Sequence, residues 1–322
     1  MRLKLVRSET SFNFFKKWKS WIIISLVLIF FSGISLVVMG LNYGIDFRGG
    51  TTIRTESSLD VDVSRYRAVL EPLGLGDISI SEVFDPTFRD DQNVTQVRIE
   101  AQDGDQSITV QAVASVREAL SSIDPNIKFP LVESVGPKVS GELVTVAIWA
   151  IFAAIGAVLF YIWLRFEWQF ALGAVVALVH DIFLTMGIFS VIQIKFDLAI
   201  IAALLTIVGY SLNDTVVVFD RVRENLRKYK KKPLGEILNL SINETLSRTL
   251  MTSVTTLIAL TSLYVLGGDV IRGFVFAMIW GVLVGTYSSV FIAGTILLHL
   301  GVKRDWSKRS ENSGNQFGDI EA

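Results

Sequence analysis

Six apolar runs leave this chain little choice of fold. They cover residues 21–40, 141–164, 168–192, 197–220, 249–267 and 271–300, and roughly 20 residues suffice to cross a bilayer as a helix. Lipid offers the backbone no water to bond, so each run must satisfy its own N–H and C=O groups. A mean hydropathy of +0.50 fits a chain that lives mostly in membrane. The first run follows Arg2, Lys4, Arg7, Lys16, Lys17 and Lys19, an arrangement shared with signal peptides. It is too long for a signal-peptide core and no small-residue cleavage pattern follows it. It reads as an uncleaved first helix, with residues 1–20 in the cytoplasm.

Between the first two runs lies a polar stretch, residues 46–138, with 16 acidic and 9 basic residues. Its pattern predicts strands at Thr51–Glu56, Ile78–Phe84, Val94–Ala101 and Ile127–Val135, and amphipathic helices at Val63–Leu73 and Ile108–Ile123. Gly74 and Gly76 close the first helix, Asp85-Pro86 makes a turn, and Gly136-Pro137 ends the last strand. The order β-α-β-β-α-β is that of a ferredoxin-like α+β domain.

Charge sets the orientation. With both termini in the cytoplasm, the cytoplasmic segments hold 19 Lys and Arg, the two short outer loops hold only Lys195 and Arg272, and the 46–138 domain holds the other nine. That asymmetry predicts a polytopic α-helical membrane protein of six transmembrane helices, N-in and C-in, with the domain outside. The basic stretch 221–248 is expected as a cytoplasmic loop. The polar residues 301–322 are expected as a cytoplasmic tail, disordered over Ser307–Ala322.

The chain has no cysteine, which removes disulfides, thiolate metal sites and cysteine nucleophiles. Its two histidines, His180 and His299, are too few for a histidine metal cage. No cofactor or metal is expected. Attention falls instead on Gly209–Asn225, GYSLNDTVVVFDRVREN, which begins as a membrane helix and ends as a charged one. Asp214 sits in its apolar part with Asn213 beside it, and an ionisable side chain in lipid costs at least a few kcal/mol, so it is normally turned to a protein partner or a wet cavity. One reading makes Asp214 a carboxylate that loads and releases a proton. The other makes it a structural hydrogen-bonder near the cytoplasmic surface, since Asp220 lies only about 9 Å further along. The rows Gly209, Asn213, Val217 and Tyr210, Asp214 form a small and polar face suited to helix contacts, which favours the first.

Arg248 is the natural counter-charge, although an interface arginine can also simply snorkel to the surface. It opens a hydroxyl-rich helix (Thr249, Thr252, Ser253, Thr255, Thr256) that reads as a hydrated path. Asp181, on the row Gly173, Ala177, Asp181, Thr185, is a secondary candidate, more in keeping with a structural hydrogen bond than with proton handling. Its neighbour His180 reads as a packing residue. Gly273, Ala277, Gly281, Gly285, Ser289 and Ala293 recur every four residues, a stripe that lets a helix of this bundle or of a partner approach closely. Gly49 and Gly50, ahead of the outer domain, permit unusual dihedrals and read as a hinge.

Several of these motifs carry a resemblance. Gly-Ile-Asp46-Phe47-Arg-Gly49-Gly50-Thr, Val135-Gly136-Pro137, Arg165-Phe166-Glu167-Trp168, His180-Asp181, the stretch through Asn225, and Arg248-Thr-Leu-Met-Thr-Ser together closely resemble the SecF family. That family supplies the smaller subunit of bacterial SecD–SecF complexes, within the RND superfamily. The likeness runs from about residue 18 to 304. It implies a multi-pass protein of the cell inner membrane with the 46–138 domain in the periplasm. It implies pairing with SecD through a pseudo-twofold, and work alongside the SecY–SecE–SecG channel, SecA and YajC. The implied function is non-enzymatic use of the proton-motive force to help draw preproteins outward, with proton coupling at Asp214 and Arg248. Two other readings stand beside it: an RND-type proton-coupled exporter of small apolar molecules, and a structural scaffold in which Asp214 only bonds its neighbours.

Overall fold

Every apolar run forms a helix, and the polar stretch forms a sheet with two helices. The computed structural model describes residues 10–302, apart from 61, 77, 84–87, 90, 91 and 101–109. In chain order the elements are α1 (Trp18–Val38), a single turn α2 (Ile45–Arg48), β1 (Gly50–Ser57), α3 (Val63–Leu70), β2 (Ile78–Glu82), β3 (Asn93–Glu100), α4 (Val110–Ser121) and β4 (Lys128–Val135). The membrane helices resume with α5 (Pro137–Arg165), α6 (Trp168–Ile192), α7 (Leu198–Lys228), α8 (Leu234–Leu266) and α9 (Asp269–Ser288). A π-helical turn (Ser289–Ala293) joins α9 to α10 (Gly294–Leu300). Among the described residues six helices are long and apolar enough to cross a membrane, as expected.

Four strands pair in the order β2-β3-β1-β4, all antiparallel, with Ile53 opposite Val97 on one side and Val132 on the other. This is the ferredoxin-like arrangement that the β-α-β-β-α-β order calls for. Alternation puts Ile53, Val97 and Ile99 on one face, where Tyr66 and Leu70 of α3 and Val116 and Leu120 of α4 cover them. Helix α3 stops at Leu70, three residues short of the predicted end. Pro72 shifts the chain into a 3₁₀ turn (Glu71–Leu73), and Gly74 at φ +62° ends it. The turn at Asp85-Pro86, the strand ends Phe84 and Ala101, the helix start at Ile108 and the tail Ser307–Ala322 fall outside the described residues.

In the bundle, α6, α7 and α9 are the inner helices, while α1, α5 and α8 leave much of their surface uncovered. The expected loop at 221–248 is instead almost wholly helical, with only residues 229–233 between α7 and α8. Its cations masked a helical period: Ile237, Leu238, Ser241, Ile242 and Thr245 are buried along one side of α8. Asn239 and Asn243 bind the N-terminal segment from that extension, accepting from the Phe14 (2.8 Å) and Phe12 (2.9 Å) amides.

Candidate functional site

Asp197 caps α7, its Oδ1 accepting from the Ile200 amide at 3.3 Å. From there the helix buries one stripe: Ile200, Leu204, Ile207, Ser211, Asp214 and Val218. Asp214 is therefore on the inner side, 3% exposed. Its Oδ2 has no hydrogen-bond partner among the described residues, and neither do the buried Tyr210 hydroxyl, one turn earlier, nor Thr249 Oγ1 on the packed helix α8. Buried polar atoms in native proteins are nearly always bonded, so Asp214 Oδ2 is an exception, one that it shares in this bundle with His180 Nε2, Gln169 Oε1 and Trp280 Nε1.

Arg248 lies within electrostatic reach of Asp214 but forms no ion pair with it among the described residues, and its side chain is exposed. Asn213 does not join Asp214. It is exposed on the outer side of α7, together with Gly209, whose absent Cβ would meet nothing within 4 Å. The row Gly209–Asn213 thus faces away from the chain's own core. Of the hydroxyls expected to line a hydrated path, Thr252 and Thr255 bond back to carbonyls of their own helix. Ser253 crosses to Thr286 on α9 at 2.7 Å.

Asp181 is the centre of a polar network that joins α6, α7 and α9. It is fully buried. Its Oδ2 accepts from Ser211 Oγ on α7 and from Ser288 Oγ on α9, both at 2.7 Å, and its Oδ1 lies 3.0 Å from His180 Nδ1. The imidazole in turn stacks on Tyr287, whose hydroxyl donates to the Trp21 carbonyl on α1 at 2.9 Å and meets Ser25 Oγ at the same distance. His180 is therefore part of a polar network as well as of the packing. Ser211, Ser288 and Tyr287 went unremarked in the sequence, where single hydroxyls in apolar helices carry little signal. The clue was register: Ser211 lies one turn before Asp214.

The small-residue stripe packs within the chain, and α7 is its main partner. A Cβ on Gly281 would collide with the Ile207 side chain, and one on Gly285 would sit 3.1 Å from Ser211 Cβ. The charged end of the long signature ties helices together. Arg221 Nε donates to Glu244 of α8 at 2.7 Å, Asn225 Nδ2 donates to the same carboxylate at 2.6 Å, and Asp220 pairs with Arg165 of α5 at 3.5 Å. Gly49 and Gly50 have φ of +75° and +127°, which side chains with a Cβ rarely adopt. Among the described residues no group of three or more His, Asp or Glu is placed to hold a metal ion.

Comparison with known proteins places this geometry. The model of the SecD/SecF protein export membrane protein C-terminal domain matches residues 115–303, and that of the SecD/SecF GG motif matches 34–58. The chain is 60% identical to the protein translocase subunit SecF of Cereibacter sphaeroides, over 100% of this chain and 99% of that one. It is 58% identical to the same subunit of Rhodobacter capsulatus, over 96% and 94%. The crystal structure of SecDF, a translocon-associated membrane protein from Thermus thermophilus, superposes with a TM-score of 0.80 at 32% identity. That match covers 93% of this chain but 40% of the longer one. Six membrane helices, an antiparallel sheet domain entered through Gly49-Gly50 and likeness over the full length agree: the chain is a multi-pass membrane protein that belongs to the SecD/SecF family of protein-export proteins, as a translocase subunit of the SecF type.

Proposed function

We propose that this subunit couples the proton-motive force to protein export, with Asp214 taking up and releasing the proton and Arg248 answering the change in its charge. The observation that carries this reading is the buried Asp214 carboxylate with one oxygen left without a partner. A carboxylate held for structure alone would bond as Asp181 does. Proton uptake neutralises the charge that Arg248 feels, and a bundle with two packings is biased by that change.

The outward row Gly209–Asn213 on α7 and the exposed Arg248 on α8 are where we place SecD, whose own six helices would complete the site across a pseudo-twofold. Both termini then lie in the cytoplasm of an inner-membrane protein and residues 46–138 in the periplasm, following the Lys and Arg count. Gly49 and Gly50 serve as the hinge of that domain, and Asp181 as a structural anchor. In this scheme the pair acts after SecA has driven a preprotein through the SecY–SecE–SecG channel, with YajC as an accessory. Membership in a protein-export family stands against the small-molecule exporter reading.

The test is preprotein transport into inner-membrane vesicles carrying Asp214→Asn, with and without an imposed proton gradient, with complex assembly checked in parallel. Asparagine keeps size and hydrogen bonding but carries no proton. Loss of only the gradient-stimulated component supports the reading. Full stimulation with intact assembly removes Asp214 from the mechanism.

A further inference from the structure

We infer that Asp46 is a positioning residue that clamps the outer domain to the first turn of α7, so that movement of the helix carrying Asp214 reaches the domain. The inference rests on the proton-coupling role proposed for Asp214.

The sheet does not pack tightly on the bundle. Its second face, with Thr52, Arg54, Gln96 and Glu133, looks across a cleft of about 790 Å³, lined by apolar as well as charged groups, to Lys195, Asp197, Tyr264 and Phe274. A gap of that size transmits displacement poorly, because packed side chains are what carry it. Coupling is then concentrated in the two chain links between domain and bundle, the β4–α5 junction at Gly136-Pro137 and the segment 40–50, and the second of these reaches α7.

Asp46 Oδ2 accepts from the Leu198 amide, the first residue of α7, at 3.0 Å. The first amides of a helix lack partners within it and lie at the positive end of its dipole, so a carboxylate there is held by charge as well as by the hydrogen bond. Asp197 caps the same terminus from its own side, through the Ile200 amide. Two further bonds hold the segment before Asp46 in place: Gly44 N–H to the Phe196 carbonyl at 2.8 Å, and Phe196 N–H to the Asn42 carbonyl at 2.7 Å. The approach is so close that a Cβ on Gly44 would stand 2.9 Å from Lys195 Cε and 3.2 Å from Asp197 Cβ. Phe196, buried, packs its ring against Tyr43, Phe47 and Phe189.

On the far side of Asp46 the connection is equally short. Arg48, in the same single turn, pairs with Glu100 of β3 at 3.1 Å. Gly50 then opens β1, the strand hydrogen-bonded to both β3 and β4. A displacement of the α7 terminus is thus delivered, through one side chain and four residues, to the central strand of the sheet.

The chain contains no cysteine, so paired cysteines can be placed for spin labelling at Glu118 on α4 and Val191 on α6, both exposed. Label distances and vesicle transport would be measured in the complex assembled with SecD, for Asp214 and Asp214→Asn, each with Asp46, Asp46→Ala and Asp46→Asn. With Asp46 intact, Asp214→Asn is expected to shift the distance distribution. Asp46→Ala is expected to abolish that shift and to lower gradient-stimulated transport about tenfold, the effect of losing one charge-assisted hydrogen bond. Asp46→Asn, which keeps a side-chain oxygen for the Leu198 amide, should retain most of both. An undiminished shift in Asp46→Ala overturns the clamp. So does an equal defect in the Ala and Asn variants with distances altered whatever residue 214 is, which would mark Asp46 as structural only. Failure of the proton reading is separately visible, as gradient-stimulated transport that survives Asp214→Asn.

Discussion

Asp181 and Asp214 are both buried acids in neighbouring helices, and the difference in their bonding predicts opposite responses to mutation. Asp181→Ala removes the acceptor for two hydroxyls at 2.7 Å and the oxygen 3.0 Å from His180 Nδ1. In a water-soluble core each stranded group would cost about 1–3 kcal/mol. Within membrane bundles measured side-chain hydrogen bonds average only about 0.6 kcal/mol and reach about 1.7, because the unfolded helices find other partners in lipid. Ser288 also keeps a second acceptor, the Gly285 carbonyl at 3.2 Å. Three such bonds and a small void then total about 2–4 kcal/mol for Asp181→Ala, and about 1 kcal/mol for Asp181→Asn, which retains one acceptor. Asp214→Asn gives up no hydrogen bond at Oδ2, so it should be neutral or stabilising. Unfolding measured by steric trapping in bicelles reads all three. A double-mutant cycle of Asp181→Asn with Ser211→Ala should return a coupling of about 1 kcal/mol. Coupling near zero, or Asp214→Asn destabilising more than Asp181→Ala, would refute the division of labour between the two carboxylates.

Gly281→Val should cost about 1–3 kcal/mol by forcing α9 away from Ile207 of α7, seen as a lower midpoint in the same unfolding assay. Gly209→Val, at an exposed position where a Cβ would meet nothing within 4 Å, should leave the chain's own stability unchanged while weakening its co-purification with SecD; the reverse pattern would place the partner elsewhere. The backbone amides of Asn126 and Ser58, with the Ser58 hydroxyl, hold the Asp124 carboxyl down at about 2, against about 3.9 for a free aspartate. Its stabilisation of the outer domain is complete above about pH 4 and is lost as pH falls through about 2. Asp124→Asn should therefore flatten that acid limb in hydrogen exchange of β1 and α4, and an unchanged limb would show that the charge does not matter.

Much of this architecture was readable because lipid and water impose separate rules. The six spans follow from length and hydropathy, and the sheet order from alternation at positions such as Ile53 and Val97 with turn residues between. Orientation within the bundle was less legible. In a membrane helix the lipid-facing residues are as apolar as the inner ones, so period alone does not say which way Asn213 points. Asn213 precedes Asp214 in sequence but lies about 100° round the helix from it, which puts it on the exposed side. The extension of α8 was hidden by the cations around it, and the partner of the Gly281–Gly285 stripe by the lack of any residue-level signal for which helix fills it. Asp181 was found, but its role rests on Ser211 and Ser288, which only the fold brings to it.

Infrared difference spectroscopy of the assembled complex across a pH titration distinguishes proton exchange at Asp214 from exchange at Asp181. With Asp214 as the proton site, a carboxylic-acid carbonyl band should grow and fade with pH, vanish in Asp214→Asn and persist in Asp181→Asn. A band that survives Asp214→Asn unchanged would contradict that assignment.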